Sequence, residues 1–413
     1  MNHKSLNIGT ENEIYIPEQW SLAADSIAYD SITSPPPIIL VCGPGNCGKT
    51  TFSRHLLNVM LQRYKKVVYL DTDVGQPEFT PPGFLSLTVL HELTPNLMIP
   101  CLKTPERYEL LSVPIIRFRC LFFGDVSSKR DPSIYLKYIF ALYDYYRKEY
   151  CISEKGENPP MTELPLIVNT SGWVKGVGYA MLVDMLKYIG PTHVVKINIS
   201  AEIKNLPAGA FWSDGGNDGT VNLVEINSAR QDSFNRSVLV QKDARLLRDL
   251  RITAYFRQCL PRDFTITTIK ELAHALTSHC PCEVPIASIK IKHLHCEVPN
   301  SEIFYSLNAS IVGLAVDSGD SENLPWCVGL GIVRGIDTFK GVLFVITPVP
   351  RSSLQKVNLL LQGYIQIPTS LLQLFMFSES ALVSSVPIMG WWIGLEQGLI
   401  EIDEDIPFAI SVL

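Results

Sequence analysis

The sequence predicts an α/β fold built on a doubly wound, mostly parallel sheet, followed by a mostly β C-terminal domain. Three observations predict it. A glycine-rich turn, Gly43-Pro44-Gly45-Asn46-Cys47-Gly48-Lys49-Thr50, joins an apolar run to a helix-like stretch. Short apolar runs then alternate with helical patterns through residues 66–258. Beyond Pro285 the pattern changes to β-rich runs separated by Gly, Pro and Asn. At 413 residues the chain exceeds a single core. The expected division is an N-terminal extension over 1–34, an α/β domain over 35–284 and a β-rich domain over 285–413.

Each element has its own signal. Residues 1–30 are polar and mixed, and Pro35-Pro36-Pro37 stiffens the entry into a strand at 38–42, since proline lacks a donor and favours extended backbone. The glycine turn opens a helix over 51–64, and residues 66–70 form a second strand closed off by Pro77, Pro81, Pro82 and Gly83. A strand over 115–123 ends at Gly124, and Pro132 sits just before a Tyr- and Leu-rich helix over 133–150. Residues 153–160 read as a surface loop. A buried strand at 165–170 leads through Gly172, Gly176 and Gly178 to a helix over 179–188 and a strand at 193–197. Such alternation implies parallel crossovers, and ligands of these sheets bind at the carboxyl ends of strands. Residues 212–217 read as a loop, and 242–258 as a basic helix with Arg245, Arg248 and Arg251 on one broad face. The β-rich runs are 288–295, 327–333, 342–347 and 360–367.

Composition bounds the function. A net charge of −6 argues against a wholly basic nucleic-acid binder, although a local Lys/Arg groove remains compatible with it. Ten cysteines in a chain with no apolar leader imply reduced thiols in the cytosol or nucleus. The apolar stretch 381–395 contains Ser384, Ser385 and Pro387 and is shorter than the ~20 residues of a spanning helix, so it reads as core and no membrane is expected. His279, Cys280, Cys282, His293, His295 and Cys296 lack paired C-x-x-C spacing. They read as buried thiols and alternating strand histidines rather than a zinc site.

The glycine turn is a complete phosphate-binding loop in the strand, turn and helix context it needs, which makes the fold that of a P-loop NTPase. Gly43, Gly45, Asn46, Cys47 and Gly48 let backbone N–H groups approach phosphate oxygens, and the helix beginning near Thr51 turns its positive end to the same anion. Lys49 is placed for the β and γ phosphates of ATP, and Thr50 offers a hydroxyl to Mg²⁺. Asp71 and Asp73, two apart at a strand end, are expected to point the same way. The economical assignment gives Asp73 the acceptor hydroxyl and leaves Asp71 nearer the water shell of the metal. Thr170-Ser171-Gly172-Trp173 follows another strand end; its turn could hold donors against phosphate, its ring could stack on a base, or the Trp could fill a crevice. The helix arginines could stabilise transition-state charge, grip an RNA phosphate or form a solvated face.

Together, the loop Gly43 to Thr50, the stretch Asp71-Thr72-Asp73-Val74-Gly75-Gln76-Pro77-Glu78-Phe79, the turn Thr170 to Trp173 and the Arg-rich helix ending Tyr255-Phe256 resemble the eukaryotic polynucleotide 5′-hydroxyl kinases. With Leu361-Gln362-Gly363-Tyr364-Ile365-Gln366-Ile367-Pro368, the chain is most similar to the branch acting in pre-ribosomal RNA processing. The resemblance implies ATP with Mg²⁺, transfer of the γ-phosphate to an RNA 5′-hydroxyl, Asp73 as activator, Thr170, Gly172 and Trp173 in a clasp, and Arg248 and Arg251 in a lid. It also implies an endoribonuclease partner that leaves the 5′-hydroxyl in a pre-ribosomal spacer, and a nucleolar location within the nucleus. The resemblance implies that larger members carry an N-terminal β domain ahead of the similar region, and no such domain is expected within residues 1–34. Two other readings are a nucleotide-binding scaffold without turnover and a GTPase-type switch, which would need an Asn-Lys-x-Asp stretch; none occurs.

Overall fold

A computed structural model describes residues 16–30, 36–93, 118–151, 163–212, 221–229, 244–261, 264–319 and 324–375. Along the chain run α1 (Glu18–Asp30), β1 (Ile38–Cys42), α2 (Lys49–Leu61), β2 (Val67–Asp71), β3 (Phe84–Leu90), β4 (Phe118–Phe122), α3 (Pro132–Tyr150), β5 (Leu166–Asn169), α4 (Val177–Ile189), β6 (His193–Asn198) and β7 (Asn222–Asn227). Then come α5 (Ala244–Arg257), α6 (Ile269–Ser278), β8 (Cys282–Pro285), β9 (Lys290–His293), α7 (Ile303–Leu307), β10 (Ser310–Val316), β11 (Trp326–Asp337), β12 (Val342–Ile346), α8 (Arg351–Leu354), β13 (Leu359–Gln362) and α9 (Thr369–Phe375). Among the described residues no helix is long and apolar enough to cross a membrane. The runs 153–160, 213–217 and 381–395 lie outside the described residues.

These elements fall into two compact units interleaved along the sequence. The first takes the described residues within 1–70, 89–98 and 146–237. Its strands lie in the order β2-β5-β1-β6-β7, and β1 pairs in parallel with β5 and β6, as β6 does with β7. The strand-to-helix alternation thus yields a doubly wound, parallel arrangement. β1 and β5 are apolar nearly throughout and almost fully buried, as parallel strands covered on both faces must be. α2 buries Phe52, Leu56, Leu57 and Met60, and α4 buries Met181, Leu182, Met185, Leu186 and Ile189, each an i, i+4 stripe.

The second unit takes the described residues within 71–88, 99–145 and 238–413. β3 and β4 pair antiparallel, and a six-stranded sheet runs β8-β12-β11-β10-β13-β9, antiparallel except for the parallel β13/β9 pair. Alternation along β13 splits its side chains: Leu359 and Leu361 enter a core with Phe84, Phe122, Tyr255, Phe256 and Leu330, while Leu360 faces a second core with Val312, Val333 and Val345. Pro132 lies inside the first turn of its helix, where a missing N–H costs nothing. Residues 288–295 form a short strand only at Lys290–His293, preceded by a 3₁₀ turn.

Candidate active site

The phosphate loop is held by the first unit. Gly48 sits at φ 99°, a left-handed conformation that an L side chain adopts only with strain, and it starts α2. Lys49 is buried, and its Nζ donates to Gly43 O at 3.0 Å and Pro44 O at 2.9 Å. An ammonium buried this far requires acceptors on its donors, and the loop carbonyls supply them. Gly45 and Asn46 are exposed at the loop tip. Thr50 and Thr51 are half-buried at the start of α2, and the Thr50 hydroxyl accepts a 3.4 Å hydrogen bond from Asn169 Nδ2. Burial pushes the Cys42 thiol up to about 12 and raises Cys47 as well, with Lys49 opposing it in both. Both thiols therefore stay neutral at pH 7 and add no negative charge where an anion would bind.

The turn after β5 closes on this loop. Thr170 Oγ1 donates to Val41 O at 2.8 Å, tying the turn to β1. Gly172 then passes so close that a methyl group there would lie 2.5 Å from Gly45 Cα and 2.7 Å from Gly45 N. The same methyl would lie 3.4 Å from Lys49 Nζ. Trp173 is half-buried, its ring lying over Gly178 at the start of α4. The phosphate loop and the Thr170–Trp173 turn thus pack directly on one another.

The acidic turn is built by the second unit, and its two acids differ in burial and in hydrogen bonding. β2 ends at Asp71, so the period-2 alternation that would set Asp71 and Asp73 side by side stops there. Asp71 is fully buried; its Oδ1 accepts from Asp73 N at 3.2 Å and its Oδ2 from Glu78 N at 2.6 Å. Asp73 is half-buried in the turn, where Oδ1 accepts from Gly75 N at 3.0 Å and Gln76 N at 3.1 Å. Among the described residues nothing engages Asp73 Oδ2. Tyr135 fixes the backbone between the two acids by donating to Thr72 O at 2.7 Å.

α5 anchors in the second unit through buried Ile252, Tyr255 and Phe256, with Arg248 and Arg251 half-buried and Arg245 exposed. Of the His/Cys group, Cys280 and Cys296 are exposed and Cys282 is half-buried, so the expectation of buried thiols fails there. His293 Nε2 lies 2.8 Å from Ser306 Oγ and His295 Nε2 lies 2.6 Å from Phe123 O.

Two family descriptions match the chain: "mRNA cleavage and polyadenylation factor CLP1 P-loop" over residues 43–258 and "NOL9-like, C-terminal domain" over 277–368. A polynucleotide 5′-hydroxyl-kinase NOL9 from Arabidopsis thaliana is 59% identical over 366 residues, covering 88% of this chain and 94% of that protein. The chain belongs to the polynucleotide 5′-hydroxyl-kinase NOL9 family. The NOL9 protein of Homo sapiens is 30% identical over 82% of this chain, which spans only 50% of that protein. Among solved structures, Clp1p in its complex with Pcf11p matches with a TM-score of 0.58 at 15% identity, covering 84% of this chain and 78% of that chain, which shows the fold.

Two residues that touch the phosphate loop or its helix carry weaker sequence signals. Asn169 closes β5 and reaches Thr50; its signal was a polar residue ending a buried strand just before the clasp. Trp20 of α1 packs on the loop itself: a methyl at Gly48 would lie 2.7 Å from its ring. Its signal was an apolar stripe in a stretch otherwise polar.

Proposed function

We propose that this chain is an ATP-dependent polynucleotide 5′-hydroxyl kinase that transfers the γ-phosphate of ATP to the 5′-hydroxyl of RNA. The observation that carries the reading is Gly172 seated on Gly45 beside the Lys49 ammonium, which gives the phosphate loop a backbone cover. Lys49, with the N–H groups of Gly43 to Thr50, binds the phosphates; its two carbonyl acceptors are exchanged for phosphate oxygens. Thr50 fits as a ligand for Mg²⁺, because Asn169 donates to its hydroxyl and so orients the oxygen. Asp71, each of whose oxygens already accepts an N–H, would assist by holding water ligands of that ion rather than the ion itself. When bound, Mg²⁺ neutralises charge on the transferring phosphoryl group. Asp73 Oδ2 accepts the proton of the attacking 5′-hydroxyl, with Oδ1 held by two N–H groups. Trp173 with Thr170 and Gly172 completes the clasp, and Arg248 and Arg251 supply positive charge to the equatorial oxygens.

The likeness to NOL9 proteins supports a proposed setting in the processing of pre-rRNA spacers in the nucleolus, beside an endoribonuclease that leaves a 5′-hydroxyl end. Labelled ATP and a 5′-hydroxyl oligoribonucleotide test the chemistry. Label should pass to the RNA with Mg²⁺, and Lys49→Ala or Asp73→Asn should abolish transfer while the melting temperature stays put. Absence of label on any 5′-hydroxyl RNA or DNA would leave a nucleotide-binding scaffold, and preference for GTP in a parallel reaction would favour a switch.

A further inference from the structure

The second unit carries a cation, Arg130, on the loop that packs against the acidic turn, and the roles above do not use it. Gly75, whose N–H holds Asp73 Oδ1, lies against the loop after β4: a methyl on Gly75 would sit 2.8 Å from Val126 O. That loop runs from buried Gly124 and Asp125 to exposed Lys129 and Arg130. Its start is pinned by two strands' worth of backbone, since Phe123 N and Gly124 N both donate to Gly83 O, at 2.8 and 3.1 Å. Gly83 N in turn donates to Val74 O at 2.8 Å, inside the acidic turn. The motif 361–368 completes the frame: Tyr364 N donates to Gly124 O at 2.6 Å, and a methyl at Gly363 would lie 2.6 Å from Gly124 Cα.

On this frame Arg130 is prearranged. Its Nε donates to Asp125 Oδ2 at 2.8 Å, and that carboxylate is 6% exposed. Its guanidinium lies over the Tyr364 ring, 4.3 Å from the centroid. His295 stacks with the same tyrosine at 6.4 Å and 18° and is fixed by Phe123 O, so the ring is itself braced. Among the described residues, nothing accepts from Arg130 Nη1 or Nη2, and the side chain is 48% exposed. A guanidinium held by its Nε and one face, with both terminal nitrogens presented to solvent, matches the bidentate geometry of a phosphate.

We propose that Arg130, supported by Tyr364 and Asp125, is a binding site for a backbone phosphate of the acceptor RNA near its 5′ end. The inference rests on the kinase reading above, because that reading makes a polyanion the partner of Asp73. It assigns Arg130 to substrate binding and Tyr364 and Asp125 to positioning it. The net negative charge of the chain makes such local cations the means of holding RNA.

Fluorescence anisotropy of a labelled 5′-hydroxyl oligoribonucleotide, with no ATP present, tests the site independently of turnover. Arg130→Gln should weaken binding roughly fivefold and flatten the dependence of log affinity on log salt by about 0.7, one single-strand phosphate contact. Tyr364→Leu should give a smaller loss in the same direction, and Arg130→Lys should restore the salt slope but only part of the affinity. In the labelling reaction, Arg130→Gln should raise KM for RNA and leave KM for ATP unchanged. Equal affinity and slope for wild type and Arg130→Gln would overturn the site even if the kinase reading stands. Loss of labelling in wild type with an Arg130-dependent salt slope would overturn the kinase reading and keep the site.

Discussion

Gly172 acts through the side chain it lacks. Any Cβ there would overlap Gly45, and neither partner is the far end of a flexible side chain that could swing away. The whole turn from Thr170 would then have to lift from the phosphate loop, although Thr170 still ties its start to Val41 O. Gly172→Ala should therefore raise KM for ATP at least tenfold, on the order of 1.4 kcal/mol of lost binding. The half-buried turn lies outside the packed interior, so the melting temperature should fall by only a few degrees. Kinetics and thermal melts on the same preparation check this. A variant with unchanged KM for ATP and a large loss of stability would make the glycine a packing device and take the clasp out of nucleotide binding.

At the scale of elements, α1 shows what sequence patterns reveal and what they hide. Trp20, Ala23, Ala24, Ile27 and Ala28 are buried at i, i+3, i+4, i+7 and i+8, an apolar stripe legible in principle. It was passed over because three alanines weigh little against the polar residues around them. The structure spends Trp20 on three partners: the ring meets Phe52 edge-on at 5.5 Å, covers Gly48, and donates Nε1–H to Asn227 O at 2.8 Å. Trp20→Ala should cost about 3–5 kcal/mol in urea unfolding and weaken nucleotide binding along with it. Trp20→Phe removes the indole atoms that cover Gly48 together with the hydrogen bond to Asn227 O, and its loss should fall between zero and that of Trp20→Ala. An intact nucleotide affinity in Trp20→Ala would separate α1 from the loop.

The elements that were legible, β1, α2, β5, α4 and β6, are those where a buried apolar run meets glycine punctuation. β3 was missed although its seven residues are all buried, because the Pro and Gly residues before it read as a loop rather than an entry into a strand. β7 was missed because its alternation exposes Asn222, Glu225 and Asn227 and leaves one residue fully buried. The phosphate loop followed from residue type and order, whereas the packing of the Thr170–Trp173 turn on Gly45 is a matter of tertiary placement. The different hydrogen bonds of the two acids did not follow from type and order, because they depend on the turn that follows β2.

For the whole molecule, the interleaving of the two units decides whether the C-terminal sheet can be removed. The division drawn from sequence places residues 285–413 apart from Asp71 and Asp73. Yet the described acidic turn at 71–88 belongs with the C-terminal sheet in one compact unit. Phe84, Cys120 and Phe122 share a core with Leu330, Ile332, Leu361 and Ile365, and a methyl at Gly83 would lie 2.8 Å from Ile365 Cδ1. Gly313 of β10 likewise runs against the ring of Phe122. Ending the chain at residue 284 would strip one side of that core, at roughly 1.5–3 kcal/mol for each large apolar side chain returned to water. Folding stabilities of whole domains are only about 5–15 kcal/mol, so a few such losses remove the frame around Asp73. A chain ending at 284 should therefore lose all transfer to 5′-hydroxyl RNA and show a broadened, low-temperature melt. Wild-type transfer by the shorter chain would mean that the acidic turn folds without the C-terminal sheet, and the motif 361–368 would then have no part in placing Asp73.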